Sequence, residues 1–322
     1  MIALGEVLVE IMRKELDVSH NVPGVYLGPY PSGAPAIFID TVARLGSNAG
    51  FIGVVGDDDF GELLVDRLRG DGVDVSYLRI TEGYTTGTAF VMYYSSGSRR
   101  FIFHLRHAAA GQLCPEDVKK DYIADSKILH IMGSALSISE SSREACYKAA
   151  RIAHESNITV TLDPNLRPEL LDVETIRRIC KPVLQVSRIV FPSKLEATTL
   201  TGIKDPIKAG KSLIEMGPEM AVVKMGSKGA ITVTGEEITY EPAFDVSEID
   251  PTGAGDIYDG AFVHGLLQGW TLRRIMEFAS AAGAIKVTRF GPMNGPSSRK
   301  EVEQFIQEHK KRINSEELED SS

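Results

Sequence analysis

The chain has 322 residues, 43% of them hydrophobic, and a formal net charge of −9 from 35 Lys and Arg against 44 Asp and Glu. That is enough chain to bury a sizeable core without disulfides or a structural metal, and the acidic balance excludes a protein whose main work is gripping a nucleic-acid backbone. No apolar run reaches the ~18 residues of a spanning helix, the start Met1-Ile2-Ala3-Leu4-Gly5-Glu6 lacks a secretory pattern, and Cys114, Cys146 and Cys180 fit no paired spacing, so a cytoplasmic protein without a membrane partner is expected.

In chain order, a strand over 1–4 and an apolar stretch over 7–12 flank a turn at Gly5, and a polar, turn-rich segment follows from 13 to 31. A helix is expected over 34–45, with Ile37, Val42 and Leu45 on one side and Gly46 as its stop. A strand over 49–55 and a helix over 60–71 come next. Residues 88–94 and 100–104, joined by Ser95-Ser96-Gly97-Ser98, read as a β-hairpin. Strands at 128–132, 159–163, 188–191 and 220–224 then alternate with helices at 141–156, 173–185 and 209–216. A second hairpin over 230–233 and 237–241 precedes helices near 254–268, 272–288 and 299–312. This alternation implies an α/β fold, a mostly parallel sheet with helices on both faces. The early β segments have no helices beside them and suit a small β appendage over one end of that sheet. The acidic end, 314–322, is expected to be disordered.

Ligands of such sheets bind outside the carboxyl ends of the strands, and the polar clusters fall there. Asp250-Pro251-Thr252-Gly253-Ala254-Gly255-Asp256 runs into an apolar helix. Glycines at a helix N-terminus let backbone N–H groups converge on an anion, and the dipole adds positive potential. A carboxylate beside that turn would repel an anion, unless Asp256 takes a proton from a hydroxyl while the turn steadies a transferring phosphoryl group. Val222-Val223-Lys224-Met225-Gly226-Ser227-Lys228-Gly229 is a strand ending in a glycine turn, suited to nucleotide phosphates and equally to an ordinary connection between strands. Asp163-Pro164-Asn165-Leu166-Arg167 and Ser193-Lys194-Leu195-Glu196 also follow strands. Gly210-Lys211-Ser212 resembles the end of a phosphate-binding loop, but Asp205 stands where that motif needs its first glycine. No G-x-G-x-x-G marks a dinucleotide site, and the seven histidines include no zinc-binding pair.

Together these motifs resemble those of the ribokinase-like (PfkB) carbohydrate kinases. The late signature is 250–256; Ser32-Gly33-Ala34-Pro35-Ala36 with Val42-Ala43-Arg44-Leu45-Gly46, and Gly53-Val54-Val55-Gly56-Asp57-Asp58-Asp59-Phe60-Gly61, match earlier motifs. The resemblance implies a three-layer α/β/α sandwich over residues 1–313, with β-lid segments near 8–30 and 86–106 that also serve in dimerisation. It implies ATP-dependent phosphorylation of a sugar hydroxyl with Asp256 as base and Gly253, Ala254 and Gly255 as the anion hole. Ser193, Lys224, Gly226, Gly229 and Thr252 would border the nucleotide, and Glu196 would organise Mg²⁺ through water. Glu10, Gly33, Arg106, Asp163 and Arg167 would face the sugar. The family often uses a monovalent cation near the anion hole, which adds K⁺ to the expected cofactors.

Departures touch the sugar side. Ser32 replaces a glycine, Ile37 an asparagine, and Ser193 the amide of N-x-x-E. The segment 31–38 is similar to tagatose kinases, whereas Arg106 and 163–167 are similar to 2-keto-3-deoxygluconate kinases, so a ketose or a keto-deoxy sugar acid is expected. A nucleoside kinase of the same fold and a non-catalytic sugar sensor are the alternatives. Scattered aromatics offer the first no evident stacking pocket, and the sensor has no need of a general base.

Overall fold

A computed structural model describes residues 1–319. The strands are β1 (Ile2–Leu4), β2 (Leu8–Arg13), β3 (Tyr26–Ser32), β4 (Ala49–Gly56), β5 (Val73–Thr81), β6 (Gly87–Tyr93), β7 (Arg99–His104), β8 (Ile128–Met132), β9 (Thr159–Asp163), β10 (Ile189–Val190), β11 (Met220–Lys224), β12 (Ala230–Thr234) and β13 (Ile238–Glu241). The helices are α1 (Ala34–Arg44), α2 (Asp59–Gly70), α3 (Lys120–Ala124), α4 (Gly133–Ile138), α5 (Glu140–Glu155), α6 (Val173–Val186), α7 (Lys194–Thr201), α8 (Pro206–Ile214), α9 (Ala254–Leu267), α10 (Leu272–Val287) and α11 (Arg299–Glu319).

Nine strands form one sheet in the order β13-β12-β11-β10-β9-β8-β1-β4-β5, parallel from β11 to β5, with β12 and β13 added antiparallel at one edge. Its strands are apolar on both faces because both are covered. The period of two shows in β11, where Val222 joins the core under α1, α9 and α10 while Ala221 and Val223 join the core under α5, α6 and α8. The expected three-layer sandwich is what the chain builds.

A second sheet, ordered β3-β2-β6-β7, stands over the carboxyl end of the first. Its β6–β7 hairpin is the one read from the sequence, and β2 pairs parallel to β6. Besides the short helices α3 and α4, which have no counterpart in the expected elements, three elements differ from expectation. Residues 26–32, read as turn-rich, form β3, an edge strand and so one where Pro29 and Pro31 remove no interior ladder bond. Residues 73–81, with no strand expected there, form edge strand β5, and 194–201 form the short helix α7. The last helix runs to Glu319, across most of the segment expected to be a disordered tail; 320–322 lie outside the described residues. Gly210 sits inside α8 against Val233 rather than after a strand, as rejection of the phosphate-loop reading requires.

Candidate active site

The carboxyl ends of β1, β8, β9, β10 and β11, the start of α9 and the inner face of the second sheet enclose a cavity of about 740 Å³. Every candidate site residue lines it except Arg106, which borders a separate groove with Arg143 and Arg178 and donates to the Ile138 carbonyl at 3.3 Å.

The helix α9 begins without a side-chain cap, which leaves its first amides for a ligand. Gly253 precedes it with φ 82°, and a Cβ there would stand 2.5 Å from the Pro292 carbonyl oxygen, so only glycine fits this turn. The Ala254 amide is the exception in the expected anion hole, since it donates to Pro251 O at 3.2 Å. Asp256, 8% exposed, points from the first turn of α9 and accepts from Asn165 Nδ2 at 3.4 Å. Burial is the main reason its pKa rises to about 7, and the nearby Asp163 charge adds to the rise while Lys224 and Arg167 oppose it. A carboxylate poised near neutrality is what a general base needs.

Beside it lies a buried acid–base cluster. Lys224 Nζ donates to Asp163 Oδ2 at 3.0 Å and Asp259 Oδ2 at 2.7 Å. Burial disfavours charge on all three, yet the two carboxylates hold the lysine protonated well above its usual range. Burial pushes Asp259 well up, whereas at Asp163 the Lys224 charge and a hydrogen bond with Asp259 outweigh burial and keep it ionised. Lys224, with 13% of its side chain exposed on the cavity wall, is thus the counter-ion of both carboxylates. Asp259, inside an apolar helix, had no sequence signal beyond being a charge on a buried face. The serine of 193–196 is an N-cap. Ser193 Oγ accepts from Glu196 N at 3.2 Å, and Glu196 Oε2 accepts from Ser193 N at 2.7 Å, the reciprocal pattern of S-x-x-E. Glu196 Oε1 accepts from Leu166 N at 2.8 Å, which ties the loop after β10 to the loop after β9.

On the sugar side, Glu10 Oε1 accepts from Ser32 Oγ at 2.7 Å, while Glu10 Oε2 and Glu6 Oε2 are buried without a protein partner. Burial raises Glu6 to about 7 and Glu10 in the same direction. Glu6 was not among the expected site residues; its signal is its place one turn beyond β1. Alternation along β7 turns Arg99, Phe101 and Phe103 into the cavity and leaves Arg100, Ile102 and His104 outside. Phe101 and Phe103 stack with centroids 5.2 Å apart, and the Arg167 guanidinium lies 5.8 Å from the Phe101 ring. This aromatic face corrects the expectation that the lid segments offer no stacking surface. Arg99 donates to Thr252 Oγ1 at 3.0 Å and the Tyr93 hydroxyl lies 2.8 Å from it, so Thr252 links the second sheet to the turn before α9.

The family model for "pfkB family carbohydrate kinase" matches residues 2–299. The chain belongs to this family. It is 32% identical over 310 residues to a 2-dehydro-3-deoxygluconokinase of Thermoproteus tenax, covering 95% of this chain and 94% of the relative. To fructokinase-2 of Solanum lycopersicum it is 31% identical over 301 residues, covering 90% and 91%. An E. coli protein designated ribokinase II, solved in complex with ATP and Mg²⁺, superposes with a TM-score of 0.89 at 40% identity, covering 96% of this chain and 99% of that one. This PfkB chain is an ATP-dependent sugar kinase of ribokinase-like fold.

Proposed function

We propose that this kinase transfers the γ-phosphoryl group of ATP to a hydroxyl of a ketose or keto-deoxy sugar acid bound between the second sheet and the turn 250–256. The observation that carries the reading is Asp256, a buried carboxylate poised at about pH 7 on the uncapped start of α9. Asp256 accepts the proton of the acceptor hydroxyl as that oxygen's electron pair bonds to the γ-phosphorus. The bond to the β–γ bridging oxygen breaks and ADP leaves with its electrons. The amides of Gly253 and Gly255 receive the charge on the transferring group. Ser193, Lys224, Gly226, Gly229 and Thr252 border the nucleotide, and Glu10, Gly33, Asp163 and Arg167 the sugar, with Arg106 available only if its segment moves inward.

The cavity's acids fit Mg²⁺ that arrives with the nucleotide. Among the described residues no group of three His, Cys, Asp or Glu forms a ligand set by itself, so Glu196, its two oxygens already accepting backbone amides, would hold the ion's water shell. When bound, the ion neutralises charge on the phosphates. Closure of the second sheet excludes water that would compete as acceptor.

Two copies pair through the outer face of that sheet, where Ile102 is 43% exposed and Phe90 packs edge-on against Tyr26 and His104. The three free thiols suit a cytoplasmic setting, and no described helix is long and apolar enough to cross a membrane.

A second reading, a nucleoside acceptor, is favoured by Phe101 and Phe103, on which a base would stack. An ADP-release screen with Mg²⁺ over D-fructose, D-tagatose, 2-keto-3-deoxygluconate, adenosine and cytidine separates the two. Turnover on a ketose or the sugar acid above both nucleosides supports the first reading; the reverse order overturns it.

A further inference from the structure

Behind the turn that starts α9 lies a fully buried lysine. Lys286, at the end of α10, is 0% exposed. Its Nζ donates to the carbonyl oxygens of Asp250 at 2.7 Å and Arg289 at 2.9 Å, and lies 3.5 Å from Asp250 Oδ2. The same carboxylate accepts from Thr252 N and Gly291 N, both at 2.9 Å, and the amides of Ile249 and Asp250 donate to Val287 O at 2.7 and 3.1 Å. Two backbone segments, 249–252 and 286–291, are thus laced around one ammonium. The first runs directly into Gly253, where the Pro292 carbonyl leaves no room for a Cβ. Lys224 differs in kind, because its partners are side-chain carboxylates. Lys286 instead meets two main-chain carbonyls and one carboxylate oxygen, a donor set that suits a bare monovalent cation.

The position therefore does not fit the K⁺ expected from the family resemblance. The oxygens that would coordinate such an ion next to the anion hole already accept hydrogen bonds from the chain. We propose that Lys286 is a tethered substitute for that ion, a positioning residue that holds the turn 250–253 in its anion-binding shape, so that phosphoryl transfer requires no added alkali cation. This rests on the reading of 253–255 as the anion hole. A side chain supplies the cation at fixed geometry with no binding equilibrium, whereas a free ion must be recruited from solution on every molecule.

The test compares chloride salts of potassium, ammonium, sodium and tetramethylammonium at equal ionic strength. The melting temperature and the ADP-release rate of the wild type are expected to be the same in all four. Lys286→Ala, which removes the ammonium and leaves room for an ion, is expected to lose on the order of 10–100-fold in kcat in tetramethylammonium. Potassium or ammonium should restore it with saturation and raise its melting temperature. Lys286→Met fills the space without charge and should stay slow in every salt. Activation of the wild type by potassium overturns the proposal without recourse to any variant. So does wild-type kcat in Lys286→Met, or a Lys286→Ala protein equally slow in all salts. If no tested acceptor is phosphorylated, the substrate reading has failed, and the melting series, which needs no acceptor, still decides the role of Lys286.

Discussion

Replacing Asp256 with asparagine separates the cost of the proposed catalytic carboxylate from its use. In the folded chain burial raises this group from 3.8 to about 7, while in the unfolded chain it keeps its ordinary value. Below pH 3.8 both states hold the proton and the difference vanishes. As pH rises from 3.8 to 7 the unfolded state releases its proton while the folded state keeps it, so stability falls through that window and stays reduced above it. At ~1.36 kcal/mol per unit, the ionised group costs the fold ~4 kcal/mol above pH 7. Asparagine has no such charge, and it gives up ~0.3–1 kcal/mol of favourable interaction with the α9 N-terminus. Asp256→Asn is therefore expected to be ~3 kcal/mol more stable than the wild type at pH 8, a melting point higher by about 5 °C. The gap should shrink by ~2–3 kcal/mol at pH 5. Turnover should fall by at least ~10²–10⁴-fold while ATP binding survives. Denaturant titrations of both proteins at pH 5 and 8, with ADP release and nucleotide-binding calorimetry, read all of this. A variant no more stable than the wild type at pH 8, a gap that does not widen with pH, or a variant with full activity would refute the reasoning.

Three further outcomes follow from the same geometry. kcat/KM for the sugar should drop tenfold per pH unit below about 7 and level off above it, because only the ionised Asp256 accepts the proton; a profile flat between pH 5 and 7 contradicts this. Lys224→Met leaves Asp163 and Asp259 buried without their counter-ion and should cost ~3–5 kcal/mol in a denaturant melt taken at pH 8, less at pH 5 where the two acids protonate more readily. Gly253→Ala places a Cβ 2.5 Å from Pro292 O at φ 82° and should cost ~1–3 kcal/mol, with kcat falling more than ATP affinity.

The strands that carry the site were legible where both faces are buried. The short β-branched and apolar stretches 128–132 and 159–163 read as strands between helical segments, and the expected bounds coincide with β8 and β9. Edge strand β3 carries two prolines that give it the signal of a loop, and the alternation in β5 is broken at Tyr77-Leu78; only pairing with β2 and β4 makes them strands. α7 was missed because eight residues are too few to show a helical period.

By itself the sequence determined the alternating architecture, the glycine turn 253–255 with Asp256 directly after it, and the family, since each of these is written in local residue order: period, glycine spacing and a carboxylate next to both. Only the tertiary structure decided the electrostatics. That Lys224 neutralises Asp163 and Asp259 across 61 and 35 residues of chain, that Asp256 sits at about 7, and that Lys286 reaches the Asp250 carbonyl are consequences of burial and of distances between elements far apart in sequence. Charge energies depend on those distances and on exclusion of water, and neither quantity exists until the chain has folded.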